Sequence, residues 1–120
     1  MAIREAPPFL RCLVSFYAFL DVEDAHLNQY SPLEQLRART TPPAPMFITR
    51  MGQDFPQLNV SVAAFVQEAE QKHFAVAVSD YPAGRHAFDI HDDTEECRQV
   101  MAKAVVFVQT HLNTRSEAVR

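Results

Sequence analysis

Glycine is almost absent from this 120-residue chain: Gly52 and Gly84 are the only two. A serine or cysteine nucleophile on a sharp strand-to-helix elbow of the form G-x-S-x-G needs a glycine on each side, and no such elbow occurs anywhere. Cysteine is equally scarce. Cys12 and Cys97 stand far apart without C-x-x-C spacing, and they read as two buried thiols in a reducing compartment. Basic clusters are missing too. Eleven Lys and Arg residues against 15 Asp and Glu leave a net charge of −4, with the basic residues scattered, so nucleic acid and anionic lipid are not expected partners. No segment approaches the roughly 20 consecutive apolar residues of a membrane span. Met1 to Pro8 contains no apolar core of the kind a secretory signal carries. A cytoplasmic protein is the expectation.

The chain does have core-forming residues. Apolar side chains make up 48% of it, ordinary for a packed globular protein, and its length suits one domain, residues 1–120. There is no internal repeat and no low-complexity stretch. Phe9 to Tyr17 is mostly apolar without clean alternation, as in a strand covered on both faces. Ser31–Pro32 starts a short helix, with a capping hydroxyl followed by proline at the first helical position. Thr41–Pro42–Pro43–Ala44–Pro45 ends it and leads into a second strand beginning near Phe47.

Asn59 is a capping residue for a helix from Val60 to about His73, with Val62, Phe65, Val66 and Ala69 at helical spacing. A third strand, Val76 to Tyr81, follows it directly. Thr94 caps the last helix, 94–112, whose apolar stripe is Cys97, Met101, Ala104, Val108 and Leu112. Val105, Val106 and Phe107 widen that stripe almost all round, so the helix is expected to be deeply covered or part of a subunit contact. The polar tail 113–120 is expected to fray. Strands alternating with helices, joined by long crossovers, predict an α/β fold with three parallel strands and flanking helices.

Two polar residues stand out by position. Asp54 comes just past Phe47–Ile48–Thr49–Arg50–Met51–Gly52–Gln53, a buried strand that turns at a glycine. His86 comes just past the third strand, within Tyr81–Pro82–Ala83–Gly84–Arg85–His86–Ala87–Phe88. A neutral imidazole accepts a proton near pH 7, and a carboxylate fixes its tautomer and stabilises the imidazolium.

With these two motifs and the long final helix, the segment from Pro45 to Leu112 resembles the C-terminal part of α/β-hydrolases, closest to the dienelactone hydrolase and carboxylesterase branch. Upstream, Leu13–Val14–Ser15–Phe16–Tyr17 is similar to the strand that follows the nucleophile helix in that family. The resemblance implies that Asp54 is the acid and His86 the general base of a triad whose nucleophile is absent, together with both oxyanion-hole donors. It also implies a truncated fold, holding the last three of the family's eight strands.

Other residues carry reactive groups as well. Cys12 is the tempting stand-in nucleophile, because dienelactone hydrolases use cysteine, yet it sits inside a strand with no glycine to permit an elbow. Ser15, Ser31, Ser61 and Ser79 have no better setting. His86, Asp89, His91, Asp92 and Asp93 form a possible metal cluster, but an acidic loop favoured by the following helix N-terminus explains the aspartates equally, and neither metal nor cofactor is expected. His26 and Tyr30 lie on a connection that caps the active-site side in many hydrolases, although such loop residues are commonly just exposed.

A half-sheet leaves Phe9–Tyr17 at an open edge with apolar side chains, and such an edge is a template for pairing. The expected partner is a second copy, joined through that strand and helix 94–112 to extend three strands to six. The expected function is an α/β-hydrolase-like partial domain, inactive alone, acting as a dimeric small-molecule-binding or interaction module. The alternative is part of an active ester or lactone hydrolase whose nucleophile comes from a separate chain holding the N-terminal half.

Overall fold

The structure is a computed structural model that describes residues 3, 7–22 and 25–119, with the backbone alone for 25, 26, 28 and 114–119. Three parallel strands form its sheet: β1 (Leu13–Ser15), β2 (Met46–Met51) and β3 (Val76–Tyr81), in spatial order β1-β2-β3. Leu13 pairs with Met46, and Met46 with Val76. Helices α1 (Pro32–Ala38) and α2 (Pro56–Gln71) pack on one face. On the other lie the short α3 (Phe88–His91) and the long α4 (Glu95–Val119). The α/β reading thus stands: strands and helices alternate, and the strands run side by side in one direction.

β2 is central and buried along its length except at Arg50. Met46 and Ile48 join Leu33 and Leu36 of α1 and Leu58, Val62 and Phe65 of α2 in the larger core. Met51 turns to the opposite face, among Tyr81, Phe88, Cys97 and Val100. Each such side chain contributes roughly 2 kcal/mol of apolar burial before conformational entropy is set against it. Where β2 does meet solvent, Arg50 forks onto Asp80 of β3 at 2.7 and 2.9 Å, the two being register partners.

The α1 entry follows its sequence signal. Ser31 is the N-cap, Pro32 opens the helix, and the buried hydroxyl accepts from Glu34 N–H and donates to Asp21 at 2.8 Å. Its exit is closed partly from elsewhere: Lys72 Nζ donates to the carbonyl of Leu36, which also accepts the capping Arg39 N–H, and to that of Arg39 just past the helix.

Three boundaries differ from expectation. The first strand pairs over Leu13–Ser15 only, not Phe9–Tyr17. Its partner sets that limit, since the residues ahead of Met46 include Pro42, Pro43 and Pro45, which have no N–H to give a ladder, and Leu10 turns back to bond Pro7 O. α2 begins at Pro56 rather than Val60, with Phe55 and not Asn59 as its N-cap residue. Proline at the first helical turn costs no hydrogen bond, and Asn59 N–H bonds Phe55 O inside the helix.

α4 continues to Val119, through the segment expected to fray. No glycine or proline follows Leu112 to stop it. Its covered stripe is Cys97, Val100 and Ala104, while Leu112 is 45% exposed and Val105 and Val106 are exposed as well. Among the described residues no helix is long and apolar enough to cross a membrane.

Candidate functional site

The C-terminal ends of β2 and β3 are stitched together by backbone. Gly52 N–H bonds Tyr81 O at 3.0 Å, Gln53 N–H bonds Gly84 O at 2.9 Å, and Gly84 N–H bonds Tyr81 O at 2.9 Å. This close approach is why glycine occupies position 52: a Cβ there would lie 2.1 Å from the carbonyl oxygen of Pro82. The two loops therefore leave the sheet as neighbours. Residues 32 positions apart in sequence meet as a result.

His86 Nδ1 lies 3.1 Å from Asp54 Oδ1 and 3.4 Å from Oδ2. An ionised carboxylate only accepts, so Nδ1 carries the shared proton and Nε2 remains for exchange with another group. The Asp54 side chain is completely covered, and that of His86 is 40% exposed. A buried acid behind a half-open imidazole is the geometry of a general base held in one tautomer. Asp54 is held in turn, since its Oδ1 accepts Phe55 N–H at 2.7 Å as the chain enters α2.

Two aromatic rings hold the imidazole. Tyr17, just beyond β1, lies 4.8 Å from it between ring centroids, and Phe55 lies 5.1 Å from it. The nearby Asp89 carboxylate of α3 pushes the Tyr17 phenol's pKa up. Behind them Phe88 is fully buried, with its ring 5.5 Å from Phe16, 6.4 Å from Tyr17 and 5.4 Å from Tyr81. Ala87, between His86 and Phe88, has φ 60° and ψ 36°. That left-handed conformation costs a non-glycine residue about 1 kcal/mol, and such strain persists where its surroundings over-determine it.

The remaining polar residues of the loop go to separate partners. Asp92 accepts from Tyr81 Oη at 2.9 Å and from Arg85 at 3.0 Å, and Asp93 pairs with Arg98. Asp89 acts on Tyr17, and His86 bonds Asp54. Among the described residues no three His, Cys, Asp or Glu side chains converge as a metal site. Arg85, and after it Tyr81, holds the Asp92 carboxyl below the usual carboxylate range. A lowered folded-state value means the contribution to stability is complete above the unfolded pKa of about 3.9 and is lost as pH falls through the folded one. Asp92→Asn should thus lower the melting temperature at pH 7, and the gap from the parent chain, followed by circular dichroism, should close on acidification below about pH 4.

The stand-in nucleophiles are placed elsewhere. Cys12 precedes β1, at the end of the sheet opposite the Asp54–His86 pair, and burial pushes its thiol up. Cys97 is buried, bonds Phe88 O through Sγ, and is likewise raised by burial. Ser31 caps α1, Ser61 bonds Leu58 O and Leu20 N–H, and Ser79 is buried in β3. None of them bonds His86. Tyr30 is exposed on the 3₁₀ turn Ala25–Tyr30, and the side chain of His26 lies outside the described residues.

Sequence reasoning named Asp54 and His86 but missed Tyr17, Phe55 and Phe88. Phe55 had one legible cue, its place between Asp54 and Pro56 at a helix entry. The other two reach the pair only through the packing of three separate elements. No protein-family model matches the chain. A comparison with curated proteins likewise returns no match.

Proposed function

We propose that this chain is an α/β-hydrolase-like partial domain, with Asp54 as the acid and His86 as the base of a triad that has no nucleophile within these residues. One observation carries the reading: the covered carboxylate of Asp54 bonded at 3.1 Å to a half-exposed imidazole, at the C-terminal ends of neighbouring parallel strands. That is where open α/β sheets bind ligands. By itself the chain does not turn over esters, because without an attacking group no acyl-enzyme forms and no donor pair stabilises an oxyanion. It acts instead as a binding and interaction module, dimeric through the open side of its sheet.

A second reading, a working ester or lactone hydrolase assembled with a nucleophile from another chain, is favoured by a single feature. An apolar groove of about 570 Å³ beside β1 is lined in part by Tyr17, the same ring that packs on His86. A sheet continuing past β1 would thus lie next to the base. The test is hydrolysis of an activated acetate ester by the purified chain and by His86→Ala. Equal rates, with no burst of released alcohol, are expected; turnover that disappears in His86→Ala would overturn the inactive reading.

A further inference from the structure

Asp92 and Asp93 are neighbours in sequence, yet their side chains are 9% and 97% exposed. What sets Asp92 apart is a series of hydrogen bonds that ends on its carboxylate. Oδ2 accepts from Tyr81 Oη at 2.9 Å, and Oδ1 accepts from Arg85 at 3.0 Å. Held below the usual carboxylate range, Asp92 is ionised at neutral pH and can only accept. The single Tyr81 proton therefore goes to Asp92, which leaves Thr94 as the donor in its 3.1 Å bond to Tyr81 Oη. Thr94 Oγ1 in turn accepts Cys97 N–H in the first turn of α4. Each of these bonds polarises the next, and all of them converge on one residue.

His86 lies inside the segment that this carboxylate closes. Arg85 and Asp92 are its two ends, seven positions apart. Just ahead of it, Gly84 O accepts Gln53 N–H from the β2 loop; at its far end, Asp92 N–H bonds Phe88 O at 2.8 Å. Between them stand Ala87, left-handed at φ 60°, and the fully buried Phe88. A left-handed alanine relaxes to negative φ unless the chain is held on both sides of it. Phe88 is held by burial. On the other side the anchor is Asp92, through Arg85. The Arg85 head is 65% exposed, and alone such a pair would contribute little. The Tyr81 hydroxyl is the stronger tie, because its ring is buried at the end of β3. Loss of both bonds would let the backbone at 86 and 87 turn and carry the imidazole off the Asp54 carboxylate.

We propose that Asp92 is a positioning residue for His86: its carboxylate clasps Arg85 to the Tyr81 hydroxyl and so keeps the imidazole aligned with Asp54. The inference rests on the Asp54–His86 reading and adds to it the device that holds the base in place. Asparagine cannot substitute. A carboxamide has one acceptor oxygen, so it must give up either Arg85 or Tyr81 and turn an N–H toward the donor it loses.

The test is the tautomer of the neutral His86 ring, read by long-range proton–nitrogen NMR of the full chain near pH 8.5, above the ordinary histidine range. The parent ring should carry its proton on Nδ1. In Asp92→Asn the ratio of Nδ1–H to Nε2–H should fall about tenfold, the equivalent of one hydrogen bond to a charged group. Tyr81→Phe, which keeps the buried ring and removes only the hydroxyl, should shift the ratio in the same direction, and the double variant should go no further than Asp92→Asn. Leu36→Val, in the core on the opposite face of the sheet, should lower the melting temperature and leave the ratio unchanged. If Asp92→Asn does not fold, Tyr81→Phe decides alone. A parent-like ratio in the folded variants, or an equal shift in Leu36→Val, overturns this inference and leaves the acid–base pair standing. A parent chain without the Nδ1–H form removes the pair itself, and the clasp with it.

Discussion

Gly52→Ala is expected to destabilise the chain by about 3 kcal/mol, near the upper end for overpacking, and to separate Asp54 from His86. The added methyl group would meet backbone: the carbonyl oxygen, carbonyl carbon and Cα of Pro82, at 2.1, 2.8 and 2.9 Å. No side-chain rotation relieves such a contact. The β3 loop must move away, breaking the Gly52 N–H bond to Tyr81 O and with it the path that carries His86 to Asp54. Chemical denaturation should show the loss directly, and thermal unfolding should fall by roughly 10 °C. Gly84→Ala is the informative comparison. Its Cβ would meet side chains instead, Tyr81 Cδ2 at 2.9 Å and Met51 Sδ at 3.0 Å, and a methionine yields more readily than a peptide bond. The cost at position 84 should be clearly smaller than at 52.

Phe88→Ala is expected to cost about 4 kcal/mol, the usual range for emptying a fully buried phenylalanine site. Three rings pack on it, Phe16 and Tyr17 from the exit of β1 and Tyr81 from the end of β3. Their loss would free Tyr17, whose ring otherwise bounds His86. The two effects are separable. Phe88→Leu, which keeps most of the volume, should recover much of the stability, whereas the His86 ring resonances should still shift as Tyr17 repositions. If Phe88→Ala unfolds at the same denaturant concentration as the parent chain, the second core is not packed as described.

Much of this architecture was readable in advance, and the exceptions share a cause. β3 ran over Val76–Tyr81 as its apolar run required, and Ser31–Pro32 opened α1 because a cap hydroxyl and a first-turn proline act within four residues. The inward positions of α2, namely Val62, Phe65, Val66 and Ala69, followed from helical spacing alone. What failed was set by a neighbour. β1 was shortened by the prolines just ahead of the strand beside it, and Leu112 was left exposed because α4 extends past the surface that covers Cys97 and Val100.

The start of α2 was a different kind of miss. Pro56 marked it more strongly than Asn59, for the same reason that Pro32 marked α1. At the site, the acid and base were legible because each follows a strand in a short loop, a local property. The aromatic enclosure was not, since Tyr17, Phe55 and Phe88 come together only once three elements have packed. Position 52 lies between these cases. A glycine at a strand end was visible in the sequence, but the Pro82 carbonyl that requires it was not.

Long-range proton–nitrogen NMR of His86 examines the acid–base pair most directly. With Asp54 as acceptor, the neutral ring should carry its proton on Nδ1, leaving Nε2 bare. Asp54→Asn should reverse this, because a carboxamide can donate to Nδ1 and stabilise the Nε2–H form. A parent chain with its proton on Nε2, or a tautomer indifferent to Asp54→Asn, would contradict the account.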